Sequence, residues 1–406
     1  MLRAHADKIV ADAIRAVLPD AAVKRALENR EFPGRVILVA AGKAAWQMAK
    51  TAWDCTHIDG GIVITKYDHS RGPIGNLLIR EAGHPVPDEN SFCATREALA
   101  LVSGLQPEDT VLFLLSGGGS ALLEDPLVSG EELQDITRQL LSCGADIVQM
   151  NTVRKRLSRV KGGRFAQAAL PAQVYSIVLS DILGDPLDMI ASGPACPDSS
   201  TCDDGLATVQ KYGLSLSDTA MALLKQETPK VLTNVTTQIN GSVRELCAAA
   251  ANSCRELGYQ PVILTDMLNC QAKEAGAYLA TVAREYAGTG KKLAYIAGGE
   301  TVVQLTGRGK GGRNQELALA AAAGIRGLAG VAVFSVGSDG TDGPTDAAGG
   351  FVDGTTAQRL EELGIRIDDV LKDNDAYHAL QKVDGLIFTG PTGTNVNDVA
   401  VLLIQN

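Results

Sequence analysis

A run of three glycines between two serines is the first candidate for binding chemistry in this sequence: Ser116, Gly117, Gly118, Gly119 and Ser120. The run directly follows an apolar, strand-like stretch. Glycines allow a backbone to approach a ligand closely, and their N–H groups can converge on an anion. The run therefore predicts a loop that binds phosphate or carboxylate, although a tight strand-to-helix turn would use the same residues.

Lys43 supplies a positive charge at a second such position, directly after Gly42 and another apolar stretch. The segment is not a Walker A loop, because Ile37 and Ala44 stand where that motif requires Gly and Ser or Thr. A lysine at a strand end can nevertheless meet phosphate oxygens as a point charge. At a helix start it opposes the helix dipole, which favours a functional purpose over a solvated side chain.

The most basic segment, 151–164, contains six lysines and arginines. Such a run is usually a solvated helix face, but Gly162 and Gly163 interrupt the helical pattern here. A local cationic site in an acidic protein can bind or steer an anionic substrate. Arg154 and Lys161 are therefore predicted to bind phosphate or substrate, with the solvated face as the alternative.

Carboxylates occur in three further loops that follow apolar stretches: Asp181 with Asp188, then Glu300, then Asp339 with Asp342. A carboxylate can orient or deprotonate a hydroxyl nucleophile, and together with phosphates it can hold Mg²⁺. We assign the first pair to catalysis and the other three to a metal ion. Loop capping and turn formation are the alternative for the first pair.

Arg313 lies at the predicted start of a helix, directly after a glycine-rich loop. Anions are already favoured at a helix N-terminus, so an arginine at this point indicates an anion site. The neighbouring Gly311, Gly312 and Asn314 are predicted to bind phosphate there.

The same loop matches the dinucleotide fingerprint Gly-x-Gly-x-x-Gly at Gly307, Gly309 and Gly312. That fingerprint also requires an acidic residue about 20 positions later for the ribose. No Asp or Glu occurs between Leu317 and Ser338. The mismatch argues against a nicotinamide site.

Two more loops carry polar groups of interest. The hydroxyl of Thr394 and the amide of Asn395 lie in a Gly- and Pro-containing loop near the C-terminus and suit a small polar ligand. His84 lies in a similar loop after an apolar run, where structural hydrogen bonding is the favoured interpretation. No pair of histidines has the spacing of zinc ligands.

The elements that must position these residues alternate along the chain. Apolar runs without alternation fit strands that are buried on both faces of a parallel sheet, so the sequence predicts an α/β protein. Ligands of open α/β sheets bind at the carboxyl ends of the strands, where these loops lie. The clearest strands are 36–41, 110–115, 174–179, 292–297, 331–336 and 386–388, and helices are predicted over 4–18, 44–54, 90–104, 130–144, 151–169, 242–257, 271–287 and 313–324.

The length of 406 residues favours two domains. Turn residues accumulate at 228–241, which places the boundary near 230 and gives domains 1–230 and 231–406.

A net charge of −10 argues against nucleic acid and anionic membrane surfaces as partners. The eight cysteines are dispersed and form no Cys-x-x-Cys pair, which indicates reduced thiols. No apolar run reaches the length of a membrane helix. We therefore expect a cytoplasmic protein without a membrane span.

Together these motifs resemble the glycerate 2-kinases whose C-terminal part is called the MOFRL domain. Ser338 departs from the expected threonine, 377–379 lacks an expected aromatic pair, and 200–290 matches only loosely. The matching stretches follow the expected order over nearly the whole chain: 40–49, 81–89, 114–126, 151–166, 178–194, 298–320, 337–350 and 389–399.

The resemblance implies ATP-dependent phosphorylation of D-glycerate at its 2-hydroxyl, with Mg²⁺, to give 2-phosphoglycerate and ADP. It also implies an N-terminal Rossmann-like, three-layer domain with a mostly parallel sheet. A C-terminal α/β domain would contain the MOFRL region at about 290–400, and the active site would lie in the cleft between the domains. The family's catalytic lysine and arginine fall on Lys43 and Arg313, which would stabilise the transferred phosphoryl group, while Asp181 or Asp188 would orient the hydroxyl or hold Mg²⁺.

Three alternatives remain at this point. A nicotinamide-dependent hydroxypyruvate reductase is weakened by the incomplete dinucleotide fingerprint. A non-catalytic binder of sugar acids is weakened by the number of charged strand-end loops. A kinase of a related small hydroxy acid stays open, as does the formation of a homodimer.

Overall fold

The chain divides into two compact units. The computed structural model describes residues 1–405. One unit comprises Ala22–Asn240, and the other comprises Met1–Ala21 together with the chain from Gly241 onwards. This division differs from the predicted domains 1–230 and 231–406, chiefly because the N-terminal helix belongs with the later residues.

The first unit is built on a six-stranded sheet with the order β3-β2-β1-β4-β5-β6. All pairings among the first five of these strands are parallel, as the uninterrupted apolar runs predict. The strands are β1 (Val36–Ala41), β2 (Gly60–Lys66), β3 (Leu78–Ala82), β4 (Thr110–Leu115), β5 (Gln173–Leu179) and β6 (Val235–Gly241).

Helices cover both faces of this sheet. Alternate residues of β1 belong to two separate apolar clusters: Val39 packs with α4, whereas Leu38 packs with α3. The result is the predicted three-layer arrangement. The helices in this part of the chain are α2 (Pro19–Leu27), α3 (Ala45–Cys55), α4 (Glu89–Val102), α5 (Gly119–Leu122), α6 (Gly130–Ser142), α7 (Ile147–Arg156), α8 (Arg164–Ala168), α9 (Cys202–Tyr212) and α10 (Asp218–Leu224), with a short 3-10 helix at Ile190–Ser192.

The second unit contains a six-stranded mixed sheet with the order β11-β10-β9-β12-β8-β7. β12 runs antiparallel to both of its neighbours, so β8 and β9 point in the same direction and end at the same edge. The strands are β7 (Gln260–Leu268), β8 (Leu293–Gly299), β9 (Val331–Gly337), β10 (Gly349–Asp353), β11 (Leu386–Ile387) and β12 (Asp398–Ile404).

The first helix, α1 (Leu2–Ala16), packs in the second unit. The Ser253 hydroxyl donates to Asp12 at 2.8 Å, and the rings of His5 and Tyr259 meet edge to face. These contacts explain why the domain predicted to start at residue 1 does not include α1. The remaining helices are α11 (Val243–Glu256), α12 (Ala272–Tyr286), α13 (Arg313–Gly324), α14 (Thr356–Glu362), α15 (Ile367–Asp373) and α16 (Ala376–Gln381).

Most predicted elements occur within a few residues of their predicted ends. The helix predicted over 151–169 is two helices, because Gly162 and Gly163 adopt left-handed φ angles of 58° and 86° and turn the chain between them. The predicted strands did not include β2, β3, β6, β7, β10 or β12, and the predicted helices did not include α2, α5, α9, α10 or α14–α16. All eight cysteines are free thiols. Within residues 1–405, no helix combines the length and apolar character needed to span a bilayer.

Candidate active site

The carboxyl ends of β1 and β4 are the natural place for a ligand in the first unit. These two strands are neighbours, but the chain continues from β1 towards β2 and β3 and from β4 towards β5 and β6. Crevices of open α/β sheets form where the strand order reverses in this way. Lys43 follows β1 and the glycine run follows β4, so the fold brings these two predicted binding segments together.

Direct hydrogen bonds join the two segments. The backbone N–H of Lys43 donates to the carbonyl oxygen of Gly117 at 2.9 Å, and the N–H of Ala44 donates to Ser116 Oγ at 3.1 Å. A Cβ atom on Gly42 would overlap that serine hydroxyl, which accounts for a glycine before Lys43. The Lys43 side chain itself is exposed, so its charge is available to a ligand.

Gly118 brings His84 into this group. Its φ is 86°, and an added Cβ would lie 2.9 Å from His84 Cδ2 and 3.3 Å from Lys43 Cγ. Burial lowers the pKa of His84, and the charge of Lys43 lowers it further, so the imidazole is neutral at pH 7. The sequence analysis favoured a structural role for His84. Its position after β3, a third parallel strand ending at the same edge, is the signal that could have identified it.

The two predicted catalytic carboxylates of this unit have different surroundings. Asp181 lies beside the glycine run, since an added Cβ on Gly117 would be 2.5 Å from its Oδ2 atom. Asp188 instead lies 3.4 Å from the Lys155 ammonium and accepts a hydrogen bond from Ser199 at 3.1 Å. The structure therefore places Asp181, and not Asp188, at the glycine run.

The basic segment is mostly an internal structure and not a solvated helix face. Lys155, Arg156 and Lys161 are each at most 2% exposed. Lys155 and Arg156 pair with Asp198, which is itself buried. Charges in such a setting require partners, and each of these has one within the fold.

Lys161 does not fit its predicted role as a ligand-binding residue. Its ammonium lies 2.8 Å from Glu124 Oε2 and donates to the carbonyl oxygens of Ser120 at 2.7 Å and Leu123 at 3.3 Å. Because Lys161 and Glu124 are fully buried, this ammonium holds the glycine run in place from behind. Arg154 is the member of the predicted pair that keeps some exposure, with 14% of its side chain accessible.

A chain of hydroxyl and amide groups lies behind the same loop. Ser120 Oγ is 3.0 Å from Ser192 Oγ, which donates to Asn151 Oδ1 at 3.0 Å. Ser192 has a left-handed φ of 61°, and Ala191 before it has a φ of 49°. Such backbone conformations in residues other than glycine cluster at functional sites. Asn151 and Ser192 were not predicted as site residues, although both lie in stretches that match the family, 151–166 and 178–194.

In the second unit, Arg313 is held by two carboxylates. Its guanidinium meets Asp398 through two hydrogen bonds, Nε to Oδ2 at 2.5 Å and Nη2 to Oδ1 at 3.1 Å. Nη1 donates to Glu300 Oε1 at 2.9 Å. Burial opposes the charge of Arg313, but its bonds to Asp398 outweigh burial and raise the pKa of the guanidinium. Asp398 is the first residue of β12 and lies between the last residues of β8 and β9. Its pairing with both strands fixes the position of the carboxylate that holds Arg313.

Asp342 occupies the anion position at the start of α13. Its carboxylate accepts the backbone N–H groups of Asn314 at 3.2 Å and Gln315 at 2.8 Å. The amide of Asn314 also donates to Asp342 and accepts from Ser335, so both ends of that side chain are engaged. The expected phosphate site formed by Gly311, Gly312 and Asn314 is thus filled by the protein's own carboxylate, and Asp342 is a helix cap where a metal ligand was predicted.

The two predicted binding residues near the C-terminus also differ. Thr394 is buried and donates its hydroxyl to the carbonyl oxygen of Val17 at 3.0 Å, which is a structural contact. Asn395 is exposed, and its Oδ1 atom accepts the backbone N–H of Asn397 at 3.4 Å. Only Asn395 presents its side chain as the prediction required.

Two family models match successive parts of the chain. The family described as "Domain of unknown function (DUF4147)" matches residues 5–225, and the MOFRL family matches residues 293–398. The D-glycerate 2-kinase of Thermotoga maritima is 53% identical over 411 aligned residues, which cover 99% of this chain and 98% of that protein. The chain belongs to the MOFRL-type glycerate kinase family. The resemblance stated from its motifs is confirmed.

Solved structures support the same family and fold. The crystal structure of the glycerate kinase from Thermotoga maritima superposes with a TM-score of 0.96 at 53% identity and covers 99% of both chains. A protein from Pyrococcus horikoshii superposes with a TM-score of 0.95 at 38% identity, covering 100% of this chain and 99% of its own. The predicted α/β fold class is confirmed.

In this member of the family, the glycines that match the dinucleotide fingerprint face protein and not an open site. A Cβ on Gly307 would overlap the backbone of Asp373, and one on Gly309 would lie within 2.6 Å of the Asp373 carbonyl oxygen and Asp375 Cα. Close packing against the loop between α15 and α16 therefore explains these glycines. Their presence gives no support to a nicotinamide site.

The acidic side chains of this protein fit Mg²⁺ only as a complex with phosphates. Within residues 1–405, no group of three His, Cys, Asp or Glu residues is arranged to hold a metal ion. Glu300 already pairs with Arg313, and Asp339 Oδ1 accepts the backbone N–H of Thr341 at 3.0 Å. Mg²⁺ in phosphoryl-transfer enzymes is usually held by one or two carboxylates plus substrate phosphates and water. Glu300 and Asp339, which follow β8 and β9, carry oxygen atoms of the kind that such a complex uses.

Proposed function

We propose that this protein transfers the γ-phosphoryl group of ATP to the 2-hydroxyl of D-glycerate, giving 2-phosphoglycerate and ADP. The observation that carries the proposal is Lys43 beside the glycine run at the reversal of the strand order. It lies in a chain that is 53% identical over nearly its full length to a D-glycerate 2-kinase. ATP as a substrate also supports a cytoplasmic location.

Phosphoryl transfer requires positioning and charge stabilisation more than covalent chemistry from the protein. In the first unit, the ammonium of Lys43 interacts with phosphate oxygens, and the N–H groups of the glycine run bind an anionic group of the substrates. Neutral His84 lines this place without adding charge. Asp181 orients the attacking hydroxyl and accepts its proton as the bond to phosphorus forms.

In the second unit, we assign Arg313 to neutralising charge on the transferred group. Its fixed guanidinium suits this task because preorganised donors lose little entropy when charge develops on the substrate. Mg²⁺ bound to ATP would supply further charge neutralisation, with Glu300, which pairs with Arg313, and Asp339, which follows β9, as its candidate oxygen ligands.

The test is a coupled assay that reports which product forms. The purified protein is incubated with D-glycerate, ATP and Mg²⁺, and the products are assayed through enolase alone and through phosphoglycerate mutase plus enolase. Signal with enolase alone is the expected result, because enolase consumes 2-phosphoglycerate. Signal that requires the mutase would mean 3-phosphoglycerate and an incorrect position of transfer.

A parallel well with NADH and hydroxypyruvate addresses the reductase. We expect no oxidation of NADH there. Oxidation of NADH without phosphorylation of D-glycerate would overturn the proposed kinase and remove the roles given to Lys43 and Arg313.

A further inference from the structure

Arg154 has a partly buried guanidinium with little to bind. It lies in the last turn of α7 and is 14% exposed. Its nearest ionic partner is Glu124 Oε2 at 4.0 Å, which is beyond hydrogen-bond distance, and its Nε atom is buried without a partner among residues 1–405. Arg156 on the same helix also has an unpartnered Nε atom, but its Nη atoms donate to Thr152 and Ser200, whereas no such bond engages the Nη atoms of Arg154 among residues 1–405. A buried guanidinium with unfilled donors is unfavourable unless an acceptor arrives.

The guanidinium lies next to the elements that hold the glycine run. Glu124 Oε2 is shared between Arg154 and Lys161, and Lys161 donates to the Ser120 carbonyl at 2.7 Å. Asn151, three residues before Arg154 and on the same side of α7, accepts from Ser192 Oγ. Ser192 Oγ in turn meets Ser120 Oγ. Arg154 is thus linked to the end of the glycine run through Glu124 and Lys161, and its helix contributes Asn151 to the hydroxyl chain behind that run.

The charges of this group leave room for one more anion. Lys161 and Arg154 are two cations, and Glu124 is the carboxylate that they share. One additional carboxylate balances the set, whereas the polyphosphate of ATP carries several charges. A carboxylate also matches the planar donor fork of arginine through two parallel hydrogen bonds.

We propose that Arg154 binds the carboxylate of D-glycerate and makes the enzyme specific for acids. This inference rests on the proposed function and extends it to one subsite. Lys43 serves the phosphate and Arg154 serves the carboxylate, so the two cations have separate ligands. An uncharged analogue of glycerate is expected to lose the contribution of Arg154.

The experiment compares the wild-type enzyme with Arg154→Met, Arg154→Lys and the control Arg138→Met. Arg138 is an exposed arginine of α6 whose partner is Asp135 at 3.1 Å. For each protein, kcat and KM are measured for ATP, for D-glycerate and for glyceramide, in which an amide replaces the carboxylate. Circular dichroism and thermal melting verify that each variant is folded.

Arg154→Met is expected to raise the KM for D-glycerate by about 10- to 100-fold, the range for losing a charged hydrogen-bond partner. Its KM for ATP should stay within about twofold, as should both constants in Arg138→Met. The wild-type preference for D-glycerate over glyceramide should largely vanish in Arg154→Met, which a purely structural role would not cause. Arg154→Lys keeps the charge without the fork and should give an intermediate KM.

Three results separate the proposals. A wild-type enzyme that does not phosphorylate D-glycerate overturns the proposed function itself. An active wild type whose KM for D-glycerate is unchanged in both Arg154 variants overturns only the carboxylate subsite. A rise in the KM for ATP, with that for D-glycerate unchanged, would also overturn it and assign Arg154 to the nucleotide. If Arg154→Met does not fold, Arg154→Lys alone decides between these results.

Discussion

Arg313 and Asp398 form a two-bond ion pair that joins the start of α13 to the start of β12. Asp398 is 6% exposed and lies between the ends of β8 and β9, so its position is fixed by two antiparallel pairings. The guanidinium of Arg313 is therefore oriented before any substrate binds. Preorganisation of this kind is what an electrostatic catalyst needs.

Asp398→Asn is expected to lower kcat while leaving the protein folded. The amide keeps the shape of the carboxylate but loses its charge and one acceptor, so Arg313 is held less firmly. We expect a fall of about 10- to 100-fold for Asp398→Asn and of about 100- to 1000-fold for Arg313→Ala. The double variant should be no worse than Arg313→Ala alone, because both changes act on one group. Arg326→Ala, which removes an exposed pair with Glu361, is the control.

Additive losses in that double variant would contradict the assignment of Asp398 as a positioning residue. Near-normal kcat in Arg313→Ala would remove Arg313 itself from the reaction. Both results are read from steady-state kinetics with D-glycerate and ATP, together with melting temperatures.

Gly118→Ala tests the close approach of the glycine run to Lys43 and His84. The added methyl carbon would lie 2.9 Å from the imidazole and 3.3 Å from Lys43 Cγ, so one of these side chains must move. A displacement of about 1 Å can cost about 100-fold in rate, and we expect a loss of that order. Gly104→Ala is a matched control, with a similar φ of 77° and no atom within 4 Å of the added Cβ.

Both glycine variants should lose about 1 kcal/mol of stability by placing alanine in the left-handed region, and Gly118→Ala should lose more because a neighbouring side chain must also move. Only Gly118→Ala should lose activity. Equal activity in the two variants would show that the close contact with His84 and Lys43 has no role in turnover.

Lys161→Met should destabilise the fold, because it leaves the carboxylate of Glu124 buried without its partner. Breaking a buried pair from one side typically costs about 3–5 kcal/mol. Replacing both residues, as in Lys161→Met with Glu124→Leu, should recover much of that loss. Urea unfolding measures the free energy of unfolding of the single and the double variant. Lys50→Met is the control, because it removes an exposed pair with Asp54 and should change stability by less than about 1 kcal/mol. Unchanged stability with a raised KM for a substrate would restore the ligand-binding role predicted for Lys161.

The sequence was informative where local pattern decides the structure. Apolar runs predicted β1 and β4 to the residue, and the glycine run after β4 marked the loop that Lys43 meets. β1 and β4 are neighbours because of the strand order in the sheet. No single segment of the sequence determines that order. β12 was not predicted because its apolar run adjoins a polar loop, and α/β alternation anticipates parallel strands.

Burial of charge was the main source of incorrect residue roles. Lys161 and its partner Glu124 are far apart in sequence, so nothing near Lys161 indicates that its charge is neutralised inside the fold. Asp342 caps a helix that precedes it in the chain, whereas capping signals are read forward from a loop into its own helix. The sequence alone does not distinguish a charged residue that is buried in the fold from one that is exposed at a binding site.

The burial of Asp342, which caps α13, also predicts that the stability of the protein depends on pH. Burial raises the pKa of Asp342 to about 7, although the N–H groups of Gln315 and Asn314 favour the ionised form. A folded-state pKa above the usual 3.8 means that the folded protein binds the proton more tightly than the unfolded chain. The contribution of Asp342 to stability is therefore largest near pH 4 and declines as the pH rises to 7.

Urea unfolding of the wild type and of Asp342→Asn from pH 4.5 to 8 measures that decline. The free energy of unfolding of the wild type minus that of Asp342→Asn should fall with rising pH, by on the order of 3 kcal/mol across the window. Asp109→Asn is the control, because hydrogen bonding from Arg35 and from backbone N–H groups lowers the pKa of Asp109 to about 2. Its difference from the wild type should be flat above pH 5, since that carboxylate stays ionised in both states. A flat difference for Asp342→Asn as well would show that Asp342 is ionised throughout and caps α13 as a carboxylate.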